Sequence, residues 1–357
     1  MKKILILILT SLLLAGCASS NSESAKNITE SNGDKCSSLN LFNWGEYIGE
    51  ETIPAFEDEY GVKVNYSLFE SNEQMYTKLQ SGTKYDVLIP SDYMIERLIN
   101  ENLLQPLDKD AITNLNLLDP TVLNQSYDPN NTYSAPYFYG TVGIVYNTQN
   151  VDSTSVEEQG FNIFTDSKYQ GKVFAYDSER DEFMIALKAL GYSMNTTSES
   201  EIEEAYQWLL SMDNNVNPSY VTDEVIDAMI NGEKDIALVY SGDATYILSE
   251  NSDMAYYAPE SGTNKWTDGM VIPANSECSA LANEFINFML EDETSEWNSE
   301  YVGYTTPNKN AFESLVNGTY EGISSYTVRD NTNDEYFIHQ PEQAKMIADL
   351  WIKVKNN

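Results

Sequence analysis

The apolar positions of this chain switch repeatedly between period two and a helical period. Leu39 to Trp44 reads as a strand, and Val62 to Phe69 alternates as a second. Between them, Glu50 to Tyr60 puts Ile53, Phe56 and Tyr60 on one helical face, with Gly61 positioned to stop the helix. Ser71-Asn72-Glu73-Gln74 reads as a capping box opening a short helix that ends at Gly82. Tyr85 to Pro90 is an apolar run of the kind buried in a parallel sheet. Ser91 is expected to cap a helix through Asn102, and Leu103 to Asp108 closes the unit. This β-α-β-α rhythm predicts an α/β fold with a mainly parallel sheet.

After a turn at Asp128-Pro129-Asn130-Asn131, Ser134 to Asn147 reads as extended chain with Gly140 and Gly143 as weak points. A second α/β unit follows. Lys172–Tyr176, Asp235–Tyr240 and Met254–Pro259 read as strands, and Asp181–Leu190, a segment from Ser198 to Met212 and Asp223–Asn231 as helices. Asp268 to Pro273 is extended and crosses back. Cys278 to Leu290 is an amphipathic helix with Leu281, Phe285 and Phe288 inward.

The first residues follow another logic. Lys2 and Lys3 precede an apolar stretch, Ile4 to Leu14, too short to remain as a membrane span. Leu14-Ala15-Gly16-Cys17 resembles a bacterial lipobox, so residues 1–16 read as a signal peptide and Cys17 as the lipid-bearing residue. Residues 17–37 lack periodicity and read as a flexible tether. The chain is thus expected outside the cytoplasm, lipid-anchored to the cell membrane. Roughly 320 residues remain, enough for two domains.

Acids outnumber bases 56 to 20, for a net charge of −36. That balance argues against nucleic-acid binding and fits a cationic ligand, although most of it is ordinary solvated surface. Cys36 and Cys278 are left as either a disulfide pair or two free thiols. His339 is the only histidine, in a polar segment expected at the surface. No metal-ligand spacing and no cofactor motif is present.

Aromatic residues beside acids recur where the predicted strands end: Asn43-Trp44-Gly45-Glu46-Tyr47, Pro90-Ser91-Asp92-Tyr93, Tyr240-Ser241-Gly242-Asp243 and Trp266-Thr267-Asp268. Open α/β sheets bind ligands outside the carboxyl ends of their strands. Ring faces attract cations and carboxylates pair with ammonium groups, so this pattern describes a pocket for an organic cation.

Several further segments carry a family resemblance: Tyr66 to Glu73, Tyr85 to Ser91, Asp177-Ser178-Glu179-Arg180-Asp181, Ile272-Pro273-Ala274-Asn275 and Gly303 to Asn308. Together with the aromatic–acid segments, in this order, they resemble the bacterial spermidine/putrescine-binding proteins of polyamine ABC importers over residues 39–357. The resemblance implies a two-lobed periplasmic-binding-protein fold of type II, with a ligand cleft between lobes and a two-strand hinge. It implies lobe 1 at 38–142 plus 268–312 and lobe 2 at 143–267 plus 313–357. It further implies a monomer that delivers polyamine to a membrane permease, with no catalysis.

The resemblance also assigns the site. Trp44 and Tyr47 match an aromatic pair, and Ser91 and Tyr93 a polar and aromatic wall. Asp181 matches an amine-binding acid, and Tyr240 stands where the family usually has Trp. Trp266 and Asp268 match the central ring and carboxylate, Tyr304 a further wall, and Asp243 an acid of the putrescine-selective branch. Ser178 departs where spermidine binders often carry Asp, and Phe337 where they carry an amide.

Plainer readings stand beside these. Trp44 and Trp266 are also plausible core residues, Tyr304 a packing residue near the hinge, and Asp181 and Asp243 ordinary helix N-terminal acids. Arg180 is expected to brace Asp181. The competing functions are a secreted hydrolase using carboxylates such as Asp181 and Asp268, and a binding protein for a different small ligand.

Overall fold

The computed structural model describes Lys26, Ile28–Glu30 and residues 35–357. The expected signal peptide and Cys17 lie outside the described residues. In chain order the first elements are β1 (Ser38–Trp44), α1 (Thr52–Tyr60), β2 (Lys63–Phe69), α2 (Asn72–Gln80), β3 (Val87–Leu88), α3 (Asp92–Asn100) and β4 (Leu104–Gln105). A long strand β5 (Ser134–Asn147) leads to α4 (Ser153–Gln159), β6 (Val173–Tyr176), α5 (Glu179–Ala189), α6 (Glu199–Val216) and β7 (Ser219–Val221). Then come α7 (Glu224–Ile230), β8 (Ile236–Tyr240), α8 (Ser241–Glu250), β9 (Met254–Tyr257) and β10 (Lys265–Pro273). The chain finishes with α9 (Ser279–Met289), α10 (Asp292–Val302), α11 (Lys309–Val316) and α12 (Pro341–Lys355).

The strands run in the order β2-β1-β3-β10-β5-β8-β6-β7, an open mixed sheet in two halves. β1 pairs in parallel with β2 and β3, and β6 with β7 and β8. These parallel sets are the two α/β units the hydrophobic pattern predicts. The antiparallel strands β5 and β10 join them. β5 pairs with β10 from Ser134 to Thr141, then with β8 from Val142 to Tyr146. One strand therefore belongs to both halves.

Local rules explain several ends. Ser71 accepts a hydrogen bond from the Gln74 amide, the expected cap. Gly61 closes α1 at φ 65° in the left-handed region. Ser91 departs from expectation: its side chain makes no cap bond, and its hydroxyl accepts from the Asn72 side-chain Nδ2 instead. Gly140 and Gly143 are not weak points. A Cβ on Gly140 would meet Ser241 Oγ and the Trp266 ring, and one on Gly143 would strike Tyr256, so these glycines let side chains lie flat on β5.

The expected tether is partly docked. The Lys26 amide donates to the Glu59 carbonyl and its ammonium pairs with the Glu59 carboxylate. Ile28 packs against the core. Glu30 is buried and accepts from the Ala280 and Leu281 amides at 2.7 and 3.1 Å, satisfying orphan donors at the start of α9. Cys36 and Cys278 form a disulfide at a Cα separation of 5.8 Å, which decides the cysteine question. His339 is half-buried rather than at the surface, and its amide donates to Glu96 Oε2 at 2.8 Å.

Candidate functional site

Each strand end delivers one part of a ring-lined cleft. After β1 the chain turns through Glu46, held at φ 49° in the left-handed region. That conformation is costly for a residue with a Cβ. The turn brings Tyr47 under the sheet edge, where its hydroxyl donates to Asp268 Oδ2 at 2.7 Å. Asp268 sits on β10 where the register with β5 shifts between Asp268 and Gly269, a bulge that re-aims its side chain. Ser91 bridges to Asp268 across β3 and β10.

Two more tyrosine–carboxylate pairs face the first. Tyr240 ends β8 and donates to Asp181 Oδ2 at 3.0 Å. Asp181 lies in the first turn of α5, capped by Ser178, whose hydroxyl accepts from the Asp181 amide. Tyr304 donates to Asp243 Oδ1 at 3.0 Å, and Asp243 lies in the first turn of α8. Trp266 packs between these pairs, its ring 5.1 Å from Tyr304 and 6.0 Å from Tyr240. Tyr47 meets Tyr304 edge-on at 5.6 Å. Edge-on packing leaves ring faces free to meet other groups. A Cβ on Gly242 would overlap the Tyr304 ring, so only glycine admits that wall.

The electrostatics are one-sided. Burial pushes the Asp268 carboxyl up to about 6, against the hydrogen bonds from Tyr47 and Ser91. Burial raises Asp243 to about 7, opposed by Tyr304. It also raises Asp181, opposed by Ser178 and Tyr240. Asp181 is 3% exposed and its Oδ1 has no hydrogen-bond partner; Trp266 Nε1 is likewise buried and unpartnered. Buried polar atoms without partners carry a penalty that a suitable ligand removes. None of the three carboxylates is in a salt bridge among the described residues.

The sequence-selected residues thus divide. Tyr47, Asp181, Tyr240, Asp243, Trp266, Asp268 and Tyr304 converge, with Ser91 at the edge. Trp44 stands apart: it packs on Phe69 at 4.5 Å, and its indole donates to the Ile89 carbonyl at 2.8 Å. Tyr93 has its face covered by Arg180, whose guanidinium carbon lies 3.6 Å from the ring centroid. Arg180 makes no salt bridge with Asp181 among the described residues; its guanidinium stacks on ring faces and acts on that carboxyl through its charge alone.

Two rings escape the sequence reading, and one acid that it quoted without assigning a role joins them. Phe138 and Tyr176 extend the ring cluster, against Tyr47 at 5.3 Å and Tyr240 at 5.4 Å. Asp92 is 1% exposed and accepts from the amides of Thr267 and Tyr93 at 2.9 and 2.6 Å. Burial lifts it to about 8, partly offset by the Thr267 amide. Its signal was its position between Ser91 and Tyr93, which an acid favoured by the helix dipole shares.

The family model described as bacterial extracellular solute-binding protein matches residues 51–320. The spermidine/putrescine-binding periplasmic protein of Escherichia coli K12 is 35% identical over 286 residues, covering 80% of this chain and 81% of the relative. Spermidine/putrescine-binding periplasmic protein 1 of Haemophilus influenzae is 33% identical over 337 residues, covering 92% of each. Among solved structures, the spermidine/putrescine ABC transporter substrate-binding protein PotD of Streptococcus pneumoniae superposes with a TM-score of 0.76. It shares 36% identity, covering 89% of this chain and 98% of that one. The open two-halved sheet is the two-lobed architecture of such proteins, and the chain belongs to the family of bacterial extracellular solute-binding proteins.

Proposed function

We propose that this chain captures a polyamine, spermidine and/or putrescine, and delivers it to the membrane permease of an ABC importer. One observation carries the reading: Asp181, Asp243 and Asp268 line a ring-walled cleft, each bonded to a tyrosine and none paired with a base. A polyamine is an apolar chain with spaced ammonium groups. Its charges need carboxylates, since burying an unpaired ammonium is very costly, and its methylenes need flat apolar faces. Asp268 and Asp181 take the ammonium groups, with Asp243 beside Tyr304 as a further anchor. Trp266, Tyr47, Tyr240 and Tyr304 cover the stem. A cation–π contact contributes roughly 0.5–2 kcal/mol. Several of them, with two charged hydrogen bonds, reach the roughly −8 kcal/mol of a micromolar binder. The relatives named as spermidine/putrescine-binding proteins point to the same chemistry.

The lobes divide at 142/143 on β5 and 267/268 on β10, a reading supported by the change of partners along β5. Capture is then hinge closure about these two strands. On this division the contacts of His339 with Glu96 and of Arg180 with Tyr93 run from one lobe to the other. The protein acts outside the cytoplasm as a monomer, tethered through a lipid on Cys17. No helix among the described residues is long and apolar enough to cross a membrane.

Calorimetric titration of protein lacking residues 1–17 with spermidine, putrescine, spermine and cadaverine tests the reading. Micromolar binding of at least one is expected. Silence from all four at millimolar concentration defeats it.

A further inference from the structure

β3 supports β10 at a single register position, Leu88 against Val271. Beyond it the turn from β3 into α3 takes over, residue by residue. The Gly269 amide donates to the Pro90 carbonyl at 3.0 Å. Ser91 bridges to Asp268 and hydrogen-bonds its carboxylate. The Thr267 amide donates to Asp92 Oδ2 at 2.9 Å, so a side chain stands in for the missing strand carbonyl. The three contacts bracket the bulge between Asp268 and Gly269. The turn is itself held: Asn72 accepts from the Ser91 amide at 3.2 Å and donates to its hydroxyl at 3.1 Å. Asp92 is 1% exposed, and its other oxygen accepts from the Tyr93 amide at 2.6 Å. Its carboxyl therefore cannot turn away from Thr267 without stranding a buried donor.

Resting on the polyamine reading, we infer that Asp92 is a positioning residue for capture: through the Thr267 amide it fixes the β10 bulge that aims Asp268 into the cleft. Tyr47 grips the Asp268 carboxylate directly, whereas Asp92 holds the backbone beside it. Aim matters because a charged hydrogen bond to an ammonium is short and directional. Asp92 also sets a second acid behind Asp268. The groups that face it are Tyr93 on α3, Asp268 on β10, Arg180 on α5, Tyr127 before β5 and Tyr336 in the segment before α12. Burial pushes its carboxyl up to about 8, helped by Asp268 and opposed by the Thr267 and Tyr93 amides and by Arg180. Near pH 7 Asp92 is therefore mostly a neutral acid that keeps its acceptor for Thr267, and above about 8 it is an anion. A cation held at Asp268 favours that ionisation, so affinity rises as Asp92 loses its proton.

The test is calorimetric titration of polyamine into the wild-type protein, Asp92→Ala and Asp92→Asn at pH 7 and pH 9, at one salt concentration. Asp92→Ala leaves the Thr267 amide without an acceptor and should weaken binding at least about tenfold at pH 7. Asp92→Asn keeps an oxygen for that amide and should stay within about threefold of the wild type at pH 7. Between pH 7 and pH 9 the wild type should gain at least about threefold more affinity than the asparagine variant, since only the wild type acquires a charge at this position. Deprotonation of the ligand affects both proteins alike. Thermal melting checks that the variants fold, and Asp92→Leu, with the same branching and no acceptor, replaces the alanine variant if that one does not. A lowered melting temperature with affinity within about threefold of the wild type would show that Asp92 only stabilises the fold. Equal losses in the alanine and asparagine variants, or parallel pH profiles for the wild type and Asp92→Asn, also overturn the inference. A wild type that binds no polyamine defeats the functional reading itself, which separates the two failures.

Discussion

Replacing Asp268 by Asn exchanges one carboxylate oxygen for an amide nitrogen and should move two properties in opposite directions. The carboxyl is buried beneath Tyr47 and Trp266, and burial lifts its pKa from 3.8 to about 6. At about 1.4 kcal/mol per pH unit, its ionisation costs the unliganded protein about 3 kcal/mol. A raised carboxyl pKa means stability is greatest below the ordinary value, falls as pH rises, and levels off above about 6. Asn carries no such cost and still accepts the Tyr47 hydroxyl. The ligand-free variant should therefore melt several degrees above the wild type at pH 7.5 and near it at pH 4. Ligand affinity should move the other way. Losing a hydrogen bond to a charged partner costs about 1.5–3 kcal/mol, a weakening of about 10- to 150-fold. Calorimetry at pH 7.5 and scanning melts at both pH values read the two effects. Affinity within threefold of wild type, or stability and affinity falling together, would refute the assignment of Asp268 as an ammonium partner.

Three other perturbations probe different parts of the molecule. Asp243 and Asp268 titrate at about 7 and about 6, while ligand ammonium groups stay protonated in this range. Polyamine affinity should therefore fall as pH drops from 8 to 5, with proton release on binding when measured in buffers of different ionisation enthalpy; a flat profile contradicts the site. Gly242→Ala should push the Tyr304 ring off Asp243 and weaken ligand binding more than tenfold with the circular dichroism spectrum retained. Glu30→Ala should lower stability by about 1 kcal/mol through the uncapped start of α9, leaving affinity unchanged in titration.

The alternation of strands and helices was readable because each element buries one face. Ser134 to Asn147 was delimited to the residue, its flanks marked by turn residues and its length by apolar positions. The grouping of Tyr47, Tyr240 and Trp266 with Asp243 and Asp268 was readable because strand ends in open sheets share one edge, whereas Tyr304 and Asp181 came only from the family resemblance. Other features had no local signature. Lys26, Ile28 and Glu30 dock through single contacts to residues far along the chain, which no periodicity announces. Asp92 looked like any acid opening a helix until its Thr267 partner came into view. Arg180 sits beside Asp181 in sequence, which suggested a pair, but the helix turns the two side chains to different neighbours, Tyr93 and Tyr240.

Strand β10 lies between β3 and β5, yet 175 residues separate Thr267 from the Asp92 it binds. A chain folding from its N-terminus leaves both of those neighbours with bare edges until β10 arrives. Such distant pairing is intrinsically slow, and bare edges invite aggregation in the interval. The bond between Cys36 and Cys278 spans 242 residues and closes just beyond β10, so thiol oxidation works as a clock for the finished sheet. The late strand also carries Trp266 and Asp268. A half-folded receptor is therefore blind to its ligand, and added ligand cannot rescue it by mass action until the last strand has already been seated.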